Sequence, residues 1–146
     1  MNKVIHRIGL TLFILLFVFL QPQCKKESQQ NEIPVIAVNI ALDPNSTEFI
    51  RLNSVNGWEY ITGGYKGIIV FRVSTNGFMA YERACPYDWN LTTARLVVDS
   101  SGITTYCPSC KSKFILFNGS PYSGPSAYPM KQYQTFYNAG ILYITN

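Results

Sequence analysis

Three cysteines concentrate the chemistry available to this sequence. Cys85 stands in Cys85-Pro86-Tyr87-Asp88-Trp89, and Cys107 and Cys110 stand in Tyr106-Cys107-Pro108-Ser109-Cys110-Lys111. Thiolates act as nucleophiles, as redox partners and as ligands for soft transition metals. The sole histidine is His6, close to the N-terminus, so the rest of the chain has no imidazole to serve as general base, triad member or metal ligand. The acidic residues Glu48, Glu59, Glu82, Asp88 and Asp99 form no close pair of the sort that glycoside hydrolysis or calcium binding needs. Tyr65-Lys66-Gly67 and Asn118-Gly119-Ser120 lack the spacing of phosphate-binding loops. No catalytic set is visible, and the expectation is a protein that is not an enzyme.

The N-terminus specifies a compartment. Lys3, His6 and Arg7 precede an apolar run from Ile8 to Leu20, the layout of a secretory signal and short for a membrane span. Cys24 follows, and then the polar stretch Lys25-Lys26-Glu27-Ser28-Gln29-Gln30-Asn31-Glu32. This resembles a bacterial lipoprotein signal, although Leu20-Gln21-Pro22-Gln23 supplies none of the small residues usual before the cysteine. The resemblance implies a signal peptide at 1–23, lipidation at Cys24, a polar tether at 24–32, and a domain at 33–146 held at a membrane in the cell envelope. An uncleaved signal anchor and an N-terminus buried in the fold are the alternatives. An exported compartment is oxidising, so Cys85, Cys107 and Cys110 are candidates for one disulfide with a thiol left over.

The elements that must position these cysteines read as short strands. Hydrophobic residues make up 47% of the chain and charged ones 14%, enough apolar side chain for a packed core. From Cys24 onward ten basic residues stand against eight acidic ones, too even a balance for a nucleic-acid footprint. Runs rich in aromatic and β-branched residues predict strands at 33–40, 49–52, 58–62, 67–74, 78–82, 96–98, 103–106, 114–117, 132–137 and 141–144. Asn56-Gly57, Asn76-Gly77 and Asn138-Ala139-Gly140 mark hairpin turns. Ile68-Ile69-Val70-Phe71 is continuous rather than alternating, which predicts a strand buried on both faces. The aromatic group Tyr122, Tyr128, Tyr133, Phe136, Tyr137 and Tyr143 reads as core filling and cross-strand pairs, and Arg51, Arg72, Arg83 and Arg95 as solvated strand faces. Trp89 reads as a cover over the cysteines, with a partner anchor as the alternative. The fold class is all-β, a sandwich or barrel.

The order of motifs resembles the Rieske iron-sulfur domain. Two cysteine loops are followed by Asn118-Gly119-Ser120, by Gly124-Pro125, and by Met130-Lys131-Gln132-Tyr133 leading into a strand. In that family the loops carry C-x-H and C-x-x-H, and the resemblance implies an antiparallel β-sandwich or barrel with a small cysteine-loop subdomain. Here Tyr87 and Cys110 stand at the two histidine positions, so the ligand set that defines an ordinary Rieske 2Fe-2S centre is absent. Lys111 stands where the family usually has glycine.

Three readings of the loops stay open. Cys85, Cys107 and Cys110 bind a 2Fe-2S cluster or a metal together with a fourth ligand, Tyr87 or Asp88. Alternatively a disulfide from Cys85 to Cys107 or Cys110 clasps the loops in place of the cluster, which would contribute about 3 kcal/mol. Or Cys107 and Cys110 form a redox-active dithiol. The favoured expectation is an interaction or structural module without cofactor, facing an envelope protein partner. The alternative is an electron-transfer protein.

Overall fold

A computed structural model describes residues 32–146. The signal segment, Cys24 and all but the last residue of the tether lie outside the described residues. Ten strands are described: β1 (Asn39–Leu42), β2 (Trp58–Ile61), β3 (Ile68–Arg72), β4 (Phe78–Glu82), β5 (Val97–Val98), β6 (Thr104–Tyr106), β7 (Lys113–Ile115), β8 (Pro121–Ser123), β9 (Gln132–Asn138) and β10 (Ile141–Thr145). They form a six-stranded sheet in the order β1-β10-β9-β4-β3-β2 and a four-stranded sheet in the order β5-β6-β7-β8. Every pairing is antiparallel. The all-β class with a small cysteine-loop sheet, as the sequence implied, is the observed architecture.

The continuous apolar run is the centre of the molecule. All of β3 is buried, and alternation along the strand sends its side chains into two cores. Ile69 and Phe71, with Tyr81 of β4, pack into one cluster with Val98, Phe114 and Leu116 of the small-sheet region. Ile68 and Val70 pack into the other with Leu42, Leu142 and Ile144 from β1 and β10. Burying each aliphatic side chain stabilises the fold by roughly 1.5–3 kcal/mol as an upper figure. Ala139 and Gly140 both take positive φ, 49° and 86°, and close β9 onto β10 as the primed two-residue turn that matches strand twist.

Several local expectations are corrected. Residues 33–38 are not a strand: the Asn146 side chain takes the Val38 amide at 3.0 Å and donates to the Ile36 carbonyl at 2.6 Å, in place of a ladder. The run 49–52 forms a 3-10 turn, Ile50–Asn53, in which the Leu52 amide bonds the Phe49 carbonyl at 2.7 Å and buries Leu52. Asn56-Gly57 precedes β2 and pairs with Arg72, so it makes no hairpin. Strand β8 was not expected; its Pro121 suits an edge, which needs no donor there. Arg72 and Arg83 are buried rather than solvated. Arg72 donates to the carbonyls of Leu52 at 2.8 Å and Ser74 at 3.3 Å, and Arg83 donates to the carbonyl of Leu96 at 3.2 Å beneath the Tyr60 ring. Of the aromatic group Tyr133 fills a core, Tyr137 packs against it, and Phe136 and Tyr143 make a cross-strand pair 6.3 Å apart, as expected; only Tyr122 and Tyr128 depart from the expectation, being exposed.

Candidate metal centre

The first cysteine loop begins where β4 leaves the large sheet. Ala84 bridges Arg95, and the Cys85 amide bonds the Ala94 carbonyl at 3.1 Å, so the chain goes out and returns at one place. Between them Leu91 N to Asp88 O, at 3.0 Å, and Ala94 N to Leu91 O, at 3.0 Å, close two successive turns. The second loop is the β6–β7 hairpin. Its ends are tied by Cys107 N to Ser112 O at 2.8 Å, and its tip by Lys111 N to Cys107 O at 3.0 Å. Lys111 holds φ of 66°, the left-handed conformation that glycine adopts freely, so the lysine bears a strain of about 1–2 kcal/mol.

A third segment braces the second loop. The buried Ser112 hydroxyl accepts the Ser126 amide at 3.0 Å and faces the Cys110 thiol at 3.2 Å. This approach depends on Gly124, with φ of 91°, because a Cβ there would come within 2.4 Å of the Ser112 Cα. Thr93 and Ser109 join the two cysteine loops through their hydroxyls at 2.7 Å.

These loops bring four ligand atoms together. The sulfurs of Cys85, Cys107 and Cys110 and a carboxylate oxygen of Asp88 all lie within 4.8 Å of one another. Cys85 Sγ is 3.6 Å from Cys110 Sγ, and Cys107 Sγ is 3.6 Å from Asp88 Oδ1. Cys85 and Cys107 are fully buried, while Asp88 and Cys110 are half-buried on the outer side. Two expectations are corrected here. The clasp from Cys85 to Cys107 or Cys110 is not formed: all three thiols are free, and a bonded pair would stand about 2.05 Å apart. Tyr87, the other expected fourth ligand, is 51% exposed, and it is Asp88 that supplies a carboxylate oxygen beside the three sulfurs.

Burial pushes the Cys85 thiol upward, opposed by the backbone N–H groups of Tyr87 and Asp88. Cys107 is also raised by burial, opposed by the N–H groups of Cys110 and Ser109. Two buried thiols therefore keep their protons at neutral pH.

Two residues that sequence reasoning passed over organise the surroundings. Lys66 lies against the group: burial lowers its ammonium from the usual lysine range, and attraction to Asp88, Cys107 and Cys85 pulls the other way. Its Nζ donates to the carbonyls of Leu91 and, at 3.5 Å, Ala94, which pins the end of the first loop. Glu82 is fully buried and accepts the amides of Tyr65 at 2.6 Å, Lys66 at 2.8 Å and Ala84 at 3.0 Å and the Tyr133 hydroxyl at 2.7 Å. A single carboxylate thus fixes both the Lys66 turn and the approach to Cys85. The glycines flanking Tyr65-Lys66 were the available signal, since a turn of that composition so near a strand end needs something to hold it. Trp89 packs edge-on against Tyr65 at 5.9 Å.

No protein-family model matches this chain, and no curated protein matches it. Among solved structures it is similar to a chain of the complex of reduced oxygenase and oxidized ferredoxin in carbazole 1,9a-dioxygenase, at 18% identity and a TM-score of 0.49, over 77% of this chain and 94% of that one. It is also similar to the ferredoxin of carbazole 1,9a-dioxygenase from Nocardioides aromaticivorans IC177, at 13% identity and a TM-score of 0.48, over 75% and 96% of the two chains. A third likeness is to a protein described as the small subunit of an NADPH nitrite reductase, at 16% identity and a TM-score of 0.41, over 61% and 85%. At these values the likenesses transfer no ligand and no activity. The class defined by the chain's own topology is an all-β domain of two antiparallel sheets, in which the loop after β4 and the β6–β7 hairpin bring their cysteines together.

Proposed function

We propose that this is a non-enzymatic electron-transfer domain of the bacterial cell envelope, tethered to a membrane through lipidated Cys24 and holding iron through Cys85, Asp88, Cys107 and Cys110. The observation that carries the reading is the convergence of three unbonded sulfurs and one carboxylate oxygen within 4.8 Å. Sulfur-rich sets with one oxygen suit soft and borderline transition ions. The histidine-bearing centre of the Rieske family does not fit, since no imidazole is present beyond His6. Bound iron would supply a one-electron couple. The chain's own residues would keep Cys85 and Cys107 out of water, orient their sulfurs through the loop amides, and leave Cys110 and Asp88 on the solvent side, where an envelope partner protein can approach. Lys66 offsets part of the negative charge that three thiolates and a carboxylate would create.

The interaction-module reading, in which a disulfide replaces the metal, lacks its covalent bond among three free thiols. The two readings separate in one preparation. Full-length protein purified anaerobically should contain iron and show visible absorption that bleaches on chemical reduction and returns on reoxidation. Protein without iron, with one thiol remaining of the loop three, would end the electron-transfer reading.

A further inference from the structure

We infer that the loop pair is built for one tetrahedrally coordinated metal ion, and not for a two-iron cluster. The inference deepens the preceding reading and rests on it for the statement that metal is bound at all.

Distance is the first argument. Around a single ion, metal–sulfur bonds of about 2.3 Å place neighbouring sulfurs about 3.8 Å apart, and a carboxylate oxygen at about 2.0 Å stands slightly closer to them. The two measured separations, Cys85 Sγ to Cys110 Sγ and Cys107 Sγ to Asp88 Oδ1, are both 3.6 Å, and no pair in the set exceeds 4.8 Å. A two-iron cluster puts its ligands in two pairs at opposite ends of a rhomb of two irons and two bridging sulfides. Ligands of opposite irons must then stand well beyond the spacing of ligands on one ion, and the loops leave no such gap.

The second argument comes from the loops themselves, which repeat one device. Cys85-Pro86-Tyr87-Asp88 and Cys107-Pro108-Ser109-Cys110 each present a cysteine, a proline, a spacer and a second ligand. Ligands three residues apart, supplied by each of two loops, are the spacing of closed four-coordinate structural sites, with Asp88 in place of one cysteine. The hydroxyl of Ser112 then stands against Cys110 as a polar group outside the ligands.

The deciding experiment counts metal, acid-labile sulfide and thiols in full-length protein from cells supplied with iron and zinc, purified anaerobically. One metal ion per chain without labile sulfide is the expected result. Replacing that ion with cobalt(II) should give the intense visible bands of four-coordinate cobalt. Asp88→Ala should weaken cobalt binding by about tenfold or more. Asp88→Cys, which restores a ligand at the same place, should still bind one ion with a spectrum shifted toward all-thiolate ligation. Two irons and two sulfides per chain would overturn the single-ion inference and leave the electron-transfer reading standing. One zinc with no iron would uphold the single-ion site and overturn electron transfer. Metal-free protein with a Cys85–Cys110 disulfide would overturn both.

Discussion

The two ends of this domain differ in how their loops are positioned. At the end formed by β1, β9 and β10, the large sheet closes over Leu42, Ile68, Val70, Leu142 and Ile144, and the contacts are apolar and non-directional. At the other end Leu96, Val98, Phe114 and Leu116 also fill a core, but the strands have only two or three residues each, and the cysteine loops are fixed by hydrogen bonds from loop to loop: Cys107 to Ser112, Ser126 to Ser112, Thr93 to Ser109, and Lys66 to the carbonyls of Leu91 and Ala94. The apolar end tolerates exchange of similar side chains, because burial depends on area and shape. The polar end does not, since each bond requires a particular donor at a particular place. Sites that bind a ligand on rearranging little are built in this second way, on a frame the first way provides.

The contrast can be broken most strongly from the apolar side. Leu142→Ala should cost about 2–5 kcal/mol by leaving a void under β3, while the folded fraction keeps its full metal content. Denaturant unfolding with metal analysis of the folded peak checks both statements, and metal loss in proportion to stability would show the two ends to be one cooperative unit.

Removal of the proposed metal attacks the opposite end. Stripping the ion with a chelator should lower stability by about 2.7 kcal/mol relative to protein held at one hundred times its dissociation constant for the metal. Amide exchange should then rise around 85–94 and 107–112 and stay slow in β3 and β4, and uniform loosening would contradict the division.

Glu82 sits where the two ends join. Glu82→Gln substitutes an amide nitrogen for an oxygen that faces donors, and should cost about 1–3 kcal/mol while weakening metal binding, because the Lys66 turn and Ala84 lose an acceptor together. Measuring stability and metal affinity on one preparation shows whether the two fall together.

Lys111→Gly sharpens the comparison in the other direction. Releasing the left-handed lysine should stabilise the domain by up to about 1 kcal/mol, since glycine's greater unfolded freedom offsets part of the gain, with metal stoichiometry unchanged. A thermal melt of the two proteins decides it.

The smallest effect concerns the β5–β6 turn, where Asp99 is only slightly buried. Burial is the largest single influence and raises its carboxyl, but the hydrogen bonds from Ser101 and Thr104 and the charge of Lys113 together outweigh it and hold it below the ordinary value. A carboxyl depressed on folding stabilises above its unfolded value of about 3.9, and that contribution is lost as pH falls through the lower folded value. Asp99→Asn should therefore flatten a shallow acid limb in the stability profile below about pH 4, and an unaltered limb would place its origin elsewhere.

Periodicity and residue type alone determined a good part of this protein. Ile68 to Phe71 had to be a strand covered on both faces, because an unbroken apolar run has no side to offer water. Asn138-Ala139-Gly140 had to turn, and Cys85, Cys107 and Cys110 stood out by their chemistry. Tertiary structure alone decided the rest. Residues 33–38 had the composition of a strand, yet Asn146, more than a hundred positions away, took their hydrogen bonds. Glu82 and Arg83 looked like ordinary strand residues until the packing of loops against β4 buried them. Whether three cysteines pair, stay apart or share a metal depends on where their sulfurs point. Direction is set by the turns after Cys85 and Cys107, the left-handed Lys111 and the brace from Ser126, and sequence spacing carries no record of it.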